Sequence, residues 1–150
     1  MQIFIASDHA GFDLKENLIK NNSNINWHDL GPSSSARVDY PDFADLVARA
    51  VSKVESATDA FASGTCGLLI CGSGQGMSMR ANKFPLVRAA LCWDKESAQL
   101  ARAHNNANIL CLGARSTSEQ IAQLILEQFL ATPFEKGRHE IRVRKLQEPT

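Results

Sequence analysis

The chain has 150 residues, with 16 Lys and Arg against 16 Asp and Glu and a hydrophobic fraction of 44%, so its formal net charge is zero. That balance excludes a broadly basic nucleic-acid binder and an acidic disordered segment. A chain of this length buries roughly 70% of the surface its unfolded form exposes, enough for one domain over residues 1–150 without disulfides or metal.

The opening MQIFIASDHAG has no basic lead-in and only a short apolar run before Ser7, so neither a secretory signal nor a transit peptide is expected. Every apolar run falls far short of the ~20 residues a membrane span needs. Cys66, Cys71, Cys92 and Cys111 lie in or beside apolar segments and read as reduced cytoplasmic thiols. Cys92 and Cys111 lack the paired spacing of a zinc site, and His104 is not at the spacing of a zinc finger, so no metal or cofactor is expected.

Residues 2–6 (QIFIA) form a β-rich run, and after the polar turn SDHAG, Phe12, Leu14, Leu18 and Ile19 recur at helical spacing over 12–20. Residues 25–30 (INWHDL) predict a second strand, followed by the loop GPSSS at 31–35. Asp39 or Asp42 can cap a helix over 42–54, where Phe43, Leu46, Val47, Ala50, Val51 and Val54 make an apolar stripe. A third strand at 67–71 (GLLIC) breaks at 72–76, and a helical segment restarts at 77–82. A fourth strand follows at 88–92 (RAALC), and then a helix capped by Asp94 that runs to about Ala103. The fifth strand, 108–112 (NILCL), leads to a helix that Thr117 or Ser118 caps and that ends near Leu130 before Pro133; the tail 137–146 predicts a last helix. Apolar strands alternating with helices predict an α/β fold, a three-layer Rossmann-like sandwich of five parallel strands with helices on both faces. Such sheets bind ligands at the carboxyl ends of their strands.

The turn CGSGQG is the most unusual stretch. Gly72, Gly74 and Gly76 between a strand and a helix expose backbone N–H groups that suit a phosphate or a developing oxyanion. The spacing is not that of a dinucleotide fingerprint, and no Walker lysine follows. Cys71, at the end of the strand, gains thiolate character from amide dipoles placed there, and Ser73 lies beside it; a plain core cysteine is the alternative. In the first turn, His9 is suited to moving a proton and Asp8 to orienting it or binding a hydroxyl, while Asp8 could equally be a helix cap. His104 and Asn105 follow the fourth helix, where a histidine also suits the helix dipole. Arg138 and Arg142, four apart with His139 between them, repel unless an anion sits there or both are solvated; Arg115, after the last strand, can join the same anion. RNA fits less well, because no aromatic residues interleave these cations. The inventory of thiol, amides, two histidines and arginines suits metal-free proton transfer between adjacent carbons of a sugar phosphate.

SDHAGFDLK, VDYPDFA, LLICGSGQGMSMRANK, SAQLARAHNNANILCLGAR and GRHEIRV resemble the ribose-5-phosphate isomerase B family, which is related to the galactose-6-phosphate isomerase subunits; the likeness spans residues 2–146. The resemblance implies interconversion of D-ribose 5-phosphate and D-ribulose 5-phosphate through a cis-enediol, as in the pentose phosphate pathway. It casts Cys71 as the base that moves the carbon-bound proton, Ser73 as the group shuttling protons on substrate oxygens, and the amides of 72–76 as enediolate donors. It also casts His104 as the residue opening the furanose ring and Asn105 as its neighbour in the anion hole. Asp8, His9 and Tyr40 match contacts to the sugar hydroxyls or phosphate, and Arg115, Arg138, His139 and Arg142 match the phosphate site. Relatives lacking the cysteine carry a glutamate directly after the glycine-rich turn; here that position is Met77, which places the chain in the cysteine-dependent branch. The family forms homodimers or dimers of dimers with sites shared between subunits. The rival readings are the same chemistry on a hexose 6-phosphate such as allose or galactose 6-phosphate, and a non-catalytic phosphosugar-binding module.

The neutral total hides an asymmetry. Residues 136–145 carry five Lys and Arg against one Glu, whereas 1–62 carry nine acids against five bases. A local anion site sized for one phosphate fits that distribution.

Overall fold

In the computed structural model, residues 1–57 and 59–147 are described. The strands are β1 (Gln2–Ser7), β2 (Asn26–Asp29), β3 (Thr65–Cys71), β4 (Ala89–Leu91) and β5 (Ile109–Gly113). They pair in parallel in the order β2-β1-β3-β5-β4. The helices are α1 (Phe12–Asn21), α2 (Tyr40–Ala57), α3 (Gln75–Ala81), α4 (Lys95–Asn105), α5 (Glu119–Ala131) and α6 (Arg138–Gln147).

Alternation along the strands divides the apolar residues between two cores. Ile3, Ile5, Leu68 and Ile70 meet Leu14 and Leu18 of α1, Ala98 of α4, and Ile125 and Phe129 of α5. Ala6, Leu69, Cys71 and Cys111 meet Val47 and Val51 of α2 and Met77 of α3 on the other face. This is the three-layer α/β sandwich expected, because strands buried on both sides need apolar residues at every position.

Element edges shift where side chains intervene. Strand β3 begins at Thr65, which pairs with Gln2, and β4 omits Arg88, whose amide donates to Asn108 Oδ1 at 2.8 Å. Helix α2 already starts at Tyr40, so Asp42 lies inside its first turn and the Asp39 carbonyl receives the Asp42 amide. Ser118, rather than the buried Thr117, caps α5 by accepting from the Ile121 amide. Asp94 caps α4 with a reciprocal Ser97 contact, a capping box.

The amino end of the sheet is braced by buried charge. Arg88 Nη2 meets Glu55 Oε1 at 2.8 Å, with both side chains under a tenth exposed, and Glu55 Oε2 accepts from the Ala60 amide. The Arg102 guanidinium sits over Phe61, its Cζ 3.3 Å from the ring centroid, and donates to Asn106 Oδ1 and the Ala107 carbonyl. These contacts fix the link between α4 and β5, where Asn106 turns back at φ 48°.

Glu55→Ala leaves the Arg88 guanidinium buried without its carboxylate, so the chain should lose about 3 kcal/mol of stability. Urea unfolding at fixed protein concentration measures it; a loss below ~1 kcal/mol would show that the pair does not brace the fold.

Candidate active site

The sheet order reverses between β1 and β3, because the chain leaves β1 toward β2 on one side and returns to β3 on the other. The crevice at this switch point lies between the turn after Ser7 and the turn after Cys71. In the first turn, Asp8 Oδ1 accepts from the amides of Ala10 and Gly11, both at 2.9 Å. Asp8 therefore holds the turn that starts α1. A Cβ on Gly11 would lie 2.5 Å from the Ile70 carbonyl oxygen, so the first turn can press against β3 only with glycine there. His9 Nδ1 and Ser7 Oγ are buried without a hydrogen-bond partner among the described residues. A native fold tolerates such atoms at a binding site, where a ligand supplies the partner.

In the second turn, the Gly74 amide donates to Cys71 Sγ at 3.1 Å, an N–H placed to solvate charge on sulfur. Cys71 is buried, 4% exposed, at the carboxyl end of β3. Burial pushes the Cys66 and Cys92 thiols up to about 12, and the Cys111 thiol further in the same direction, which keeps these three as protonated core residues. The Gln75 amide reaches the exposed Ser73 Oγ at 3.4 Å. Two of the turn's amides are therefore engaged by Cys71 and Ser73, a detail that the run of glycines does not disclose. Gly74 sits at φ 75°.

Two neighbours close over this turn. A Cβ on Gly72 would lie 3.0 Å from Arg115 Cζ, and one on Gly76 would lie 2.6 Å from the Tyr40 ring. Glycine thus lets Arg115 and Tyr40 approach the backbone beside Cys71. The Arg115 amide donates to the Gly72 carbonyl, tying the turn after β5 to the turn after β3.

The remaining residues predicted for the site lie elsewhere. His104 and Asn105 end α4, and only residues 106–108 separate them from the start of β5. Cys71 pairs with Gly113 at the far end of that strand, so about 13 Å of extended chain lies between the two groups. Helix α6 packs on α4, and its His139 stacks on His104 with centroids 4.3 Å apart and planes 5° from parallel. Arg138 and Arg142 are exposed beside it. One chain therefore brings Cys71, Ser73, Gly72, Gly74, Gly76, Asp8, His9, Tyr40 and Arg115 to the carboxyl end of the sheet. His104, Asn105, Arg138, His139 and Arg142 gather at the amino end, and Arg115 does not share their anion within a single chain. Sequence reasoning missed Glu135, whose Oε2 lies 3.6 Å from His104 Nε2 and 3.7 Å from His139 Nε2; its only signal is a carboxylate four residues before a histidine.

Between the two ends runs a groove of about 770 Å³ along the edge strand β4, lined by Leu91, Trp93, Leu100, Asn105 and Leu146 among others. Trp93 and Leu146 are each more than three-fifths exposed.

The fold and these motifs have known counterparts. Residues 3–146 match the ribose/galactose isomerase family, and the chain belongs to that family. The ribose-5-phosphate isomerase B of Escherichia coli K12 is 39% identical over 147 residues, covering 97% of this chain and 93% of the relative. A crystal structure of a ribose 5-phosphate isomerase from Thermotoga maritima superposes with a TM-score of 0.88 at 45% identity, covering 99% of this chain and 98% of the other. The Mycoplasma genitalium ribose-5-phosphate isomerase B, solved with bound ribulose-5-phosphate, superposes with a TM-score of 0.86 at 44% identity and covers 97% of this chain and 93% of its own.

Burial holds His139 below the ordinary imidazole range, and the charge of His104, Arg138 and Arg142 acts in the same direction against the opposing pull of Glu135. An imidazole with a lowered native pKa stabilises the fold above its unfolded pKa, and that contribution is lost as pH falls through the native value. The His139 ring protons, followed by NMR, should titrate below the ordinary histidine midpoint; a midpoint above it would show that Glu135 dominates the site.

Proposed function

We propose that the protein interconverts D-ribose 5-phosphate and D-ribulose 5-phosphate. The observation that carries this reading is Cys71, set at the switch-point crevice beneath the Gly74 amide in a chain matched to the isomerase family over residues 3–146. A pentose substrate is favoured by the ribulose-5-phosphate bound to the Mycoplasma genitalium relative.

His104 opens the furanose by moving the proton between the anomeric hydroxyl and the ring oxygen. The Cys71 thiolate then removes the proton on carbon 2 of the open aldose, and the electron pair forms the carbon 1–carbon 2 double bond as charge passes to oxygen 1. Ser73 relays a proton from oxygen 2 to oxygen 1, and Cys71 returns its proton to carbon 1, leaving the ketone at carbon 2. The reaction only relocates protons and electrons within the substrate, so it needs no external oxidant or reductant. His9, with its unpartnered Nδ1, and Tyr40 serve the sugar hydroxyls, while Asp8 shapes the turn that presents them. Arg138, Arg142 and Arg115 neutralise the phosphate, His139 lies beside them, and Asn105 assists the anion hole.

The separation of Cys71 from His104 within one chain calls for a second copy. A two-fold axis across the β4 groove exchanges the two ends of the sheet, setting the Cys71 cluster of one protomer against the His104 cluster of the other. The exposed Trp93, Leu100 and Leu146 supply apolar surface for that contact. A homodimer, alone or paired into a tetramer, is the assembly proposed. The four free, buried thiols suit a reducing compartment, and the cytoplasm is the proposed location.

Cys71→Ala should retain the fold and phosphate binding but lose at least about a thousandfold in kcat; near-normal turnover would sink the mechanism. Neither Cys71→Ala nor His104→Asn should turn over alone, but after unfolding and refolding as a mixture they should regain about a quarter of wild-type activity, since half the dimers then carry one intact site. No recovery would argue against a shared site. A panel of pentose and hexose phosphates decides the substrate, with preference for a 6-phosphate overturning the pentose reading. Gly76→Ala should push the Tyr40 ring aside and raise KM while changing stability by less than about 1 kcal/mol, because the gain in helix propensity offsets the crowding.

A further inference from the structure

We propose that His104, Glu135 and His139 form an inhibitory binding site for a borderline transition-metal dication, with Zn²⁺ as the best fit. The inhibitory half of this proposal rests on the ring-opening role given to His104; the binding half stands on geometry alone.

One ligand atom from each residue lies within 4.8 Å of the other two. Glu135 Oε2 is already 3.6 and 3.7 Å from the two Nε2 atoms. Tetrahedral zinc with bonds of about 2.0–2.1 Å places its ligand atoms about 3.3–3.4 Å apart, so these two edges need to close by only a few tenths of an ångström. The third edge closes by turning the parallel imidazoles toward each other. His104 is 36% and Glu135 58% exposed at the side chain, which leaves both free to make that adjustment.

The frame behind them is rigid. The Glu135 amide donates to the Ala103 carbonyl at 3.0 Å, fixing the segment before α6 against the end of α4. His139 is buried with its ring stacked on His104, so its side chain is held in place beside the other two ligands. Arg138 Nε contacts His139 Nε2 at 3.4 Å, a long contact from an exposed side chain that a metal would displace. Two imidazoles and one carboxylate select Zn²⁺, Co²⁺, Ni²⁺ or Cu²⁺ over Mg²⁺ or Ca²⁺, which prefer oxygen ligands. Three protein ligands leave a fourth position open. A metal on His104 Nε2 ties up the imidazole that would exchange protons with the sugar ring, and so blocks turnover.

Calorimetric titration of the purified protein with ZnCl₂, in a non-chelating buffer near neutral pH, should show one Zn²⁺ per chain. Glu135→Gln and His139→Asn should each weaken binding at least about tenfold. Isomerisation, referenced to each variant's own metal-free rate, should fall as the wild-type site fills, recover with EDTA, and resist zinc in Glu135→Gln. Glu135 is exposed, so that variant folds, and circular dichroism checks it. Absence of zinc binding, or binding unchanged in both variants but abolished in Cys71→Ala, overturns the site. Binding without a change in rate overturns the inhibitory role. If no sugar phosphate is turned over at all, the proposed function fails while the titration still decides the site.

Discussion

Parallel pairing of β3 with β5, which sets Cys71 beside Gly113, is the constraint from which the rest of the molecule follows. Parallel strands send every strand end to one edge of the sheet, and the connecting helices return the chain to the other edge. Turns after strands therefore collect the thiol, the glycine-rich backbone, Arg115 and the first turn. Helix ends collect His104, Asn105 and, through α6, the arginines. The same geometry that gathers Cys71 and its neighbours at one end of the sheet keeps them apart from His104 at the other.

Each half is braced by its own means. At the carboxyl edge, close backbone approach does the work. Gly11 lets the first turn press on β3, and Gly72 and Gly76 admit Arg115 and Tyr40. At the amino edge, buried charge does it. Arg88 with Glu55, and Arg102 sandwiched against Phe61, hold the short link 106–108 from which His104 hangs. An imidazole at a helix end such as that of His104 would fray without such support, since terminal turns lack intrahelical partners. The stacked histidines and Glu135 add a compact cluster at the same end.

Contiguous features were legible along the chain. Strand, glycine turn and helix around Cys71 occupy adjacent residues, so their order alone placed a thiol near amides, and alternation of apolar runs with amphipathic helices foretold the layers. The details that escaped depend on side chains reaching across. Sequence leaves Asp8 open between orienting His9, binding a hydroxyl and capping a helix, and its two amide contacts show that it holds the turn. The glycine-rich run offers its amides as donors for a ligand, yet Cys71 and Ser73 engage those of Gly74 and Gln75. Charge alone groups Arg115 with Arg138 and Arg142, whereas within one chain the sheet holds them at opposite ends. Glu135 went unnoticed because its partner His104 lies 31 residues away.

The sequence by itself determined the α/β alternation, the neutral balance with its local run of cations, and the family to which Cys71, Ser73 and His104 point. Those depend on composition, period and contiguous motifs, which are properties of neighbours in the chain. Tertiary structure decided which of the candidate residues share a space, the stack of His104 on His139, and the groove between the two halves. The physical reason is that strand pairing and helix packing join residues tens of positions apart, and no local period encodes which residues those contacts bring together.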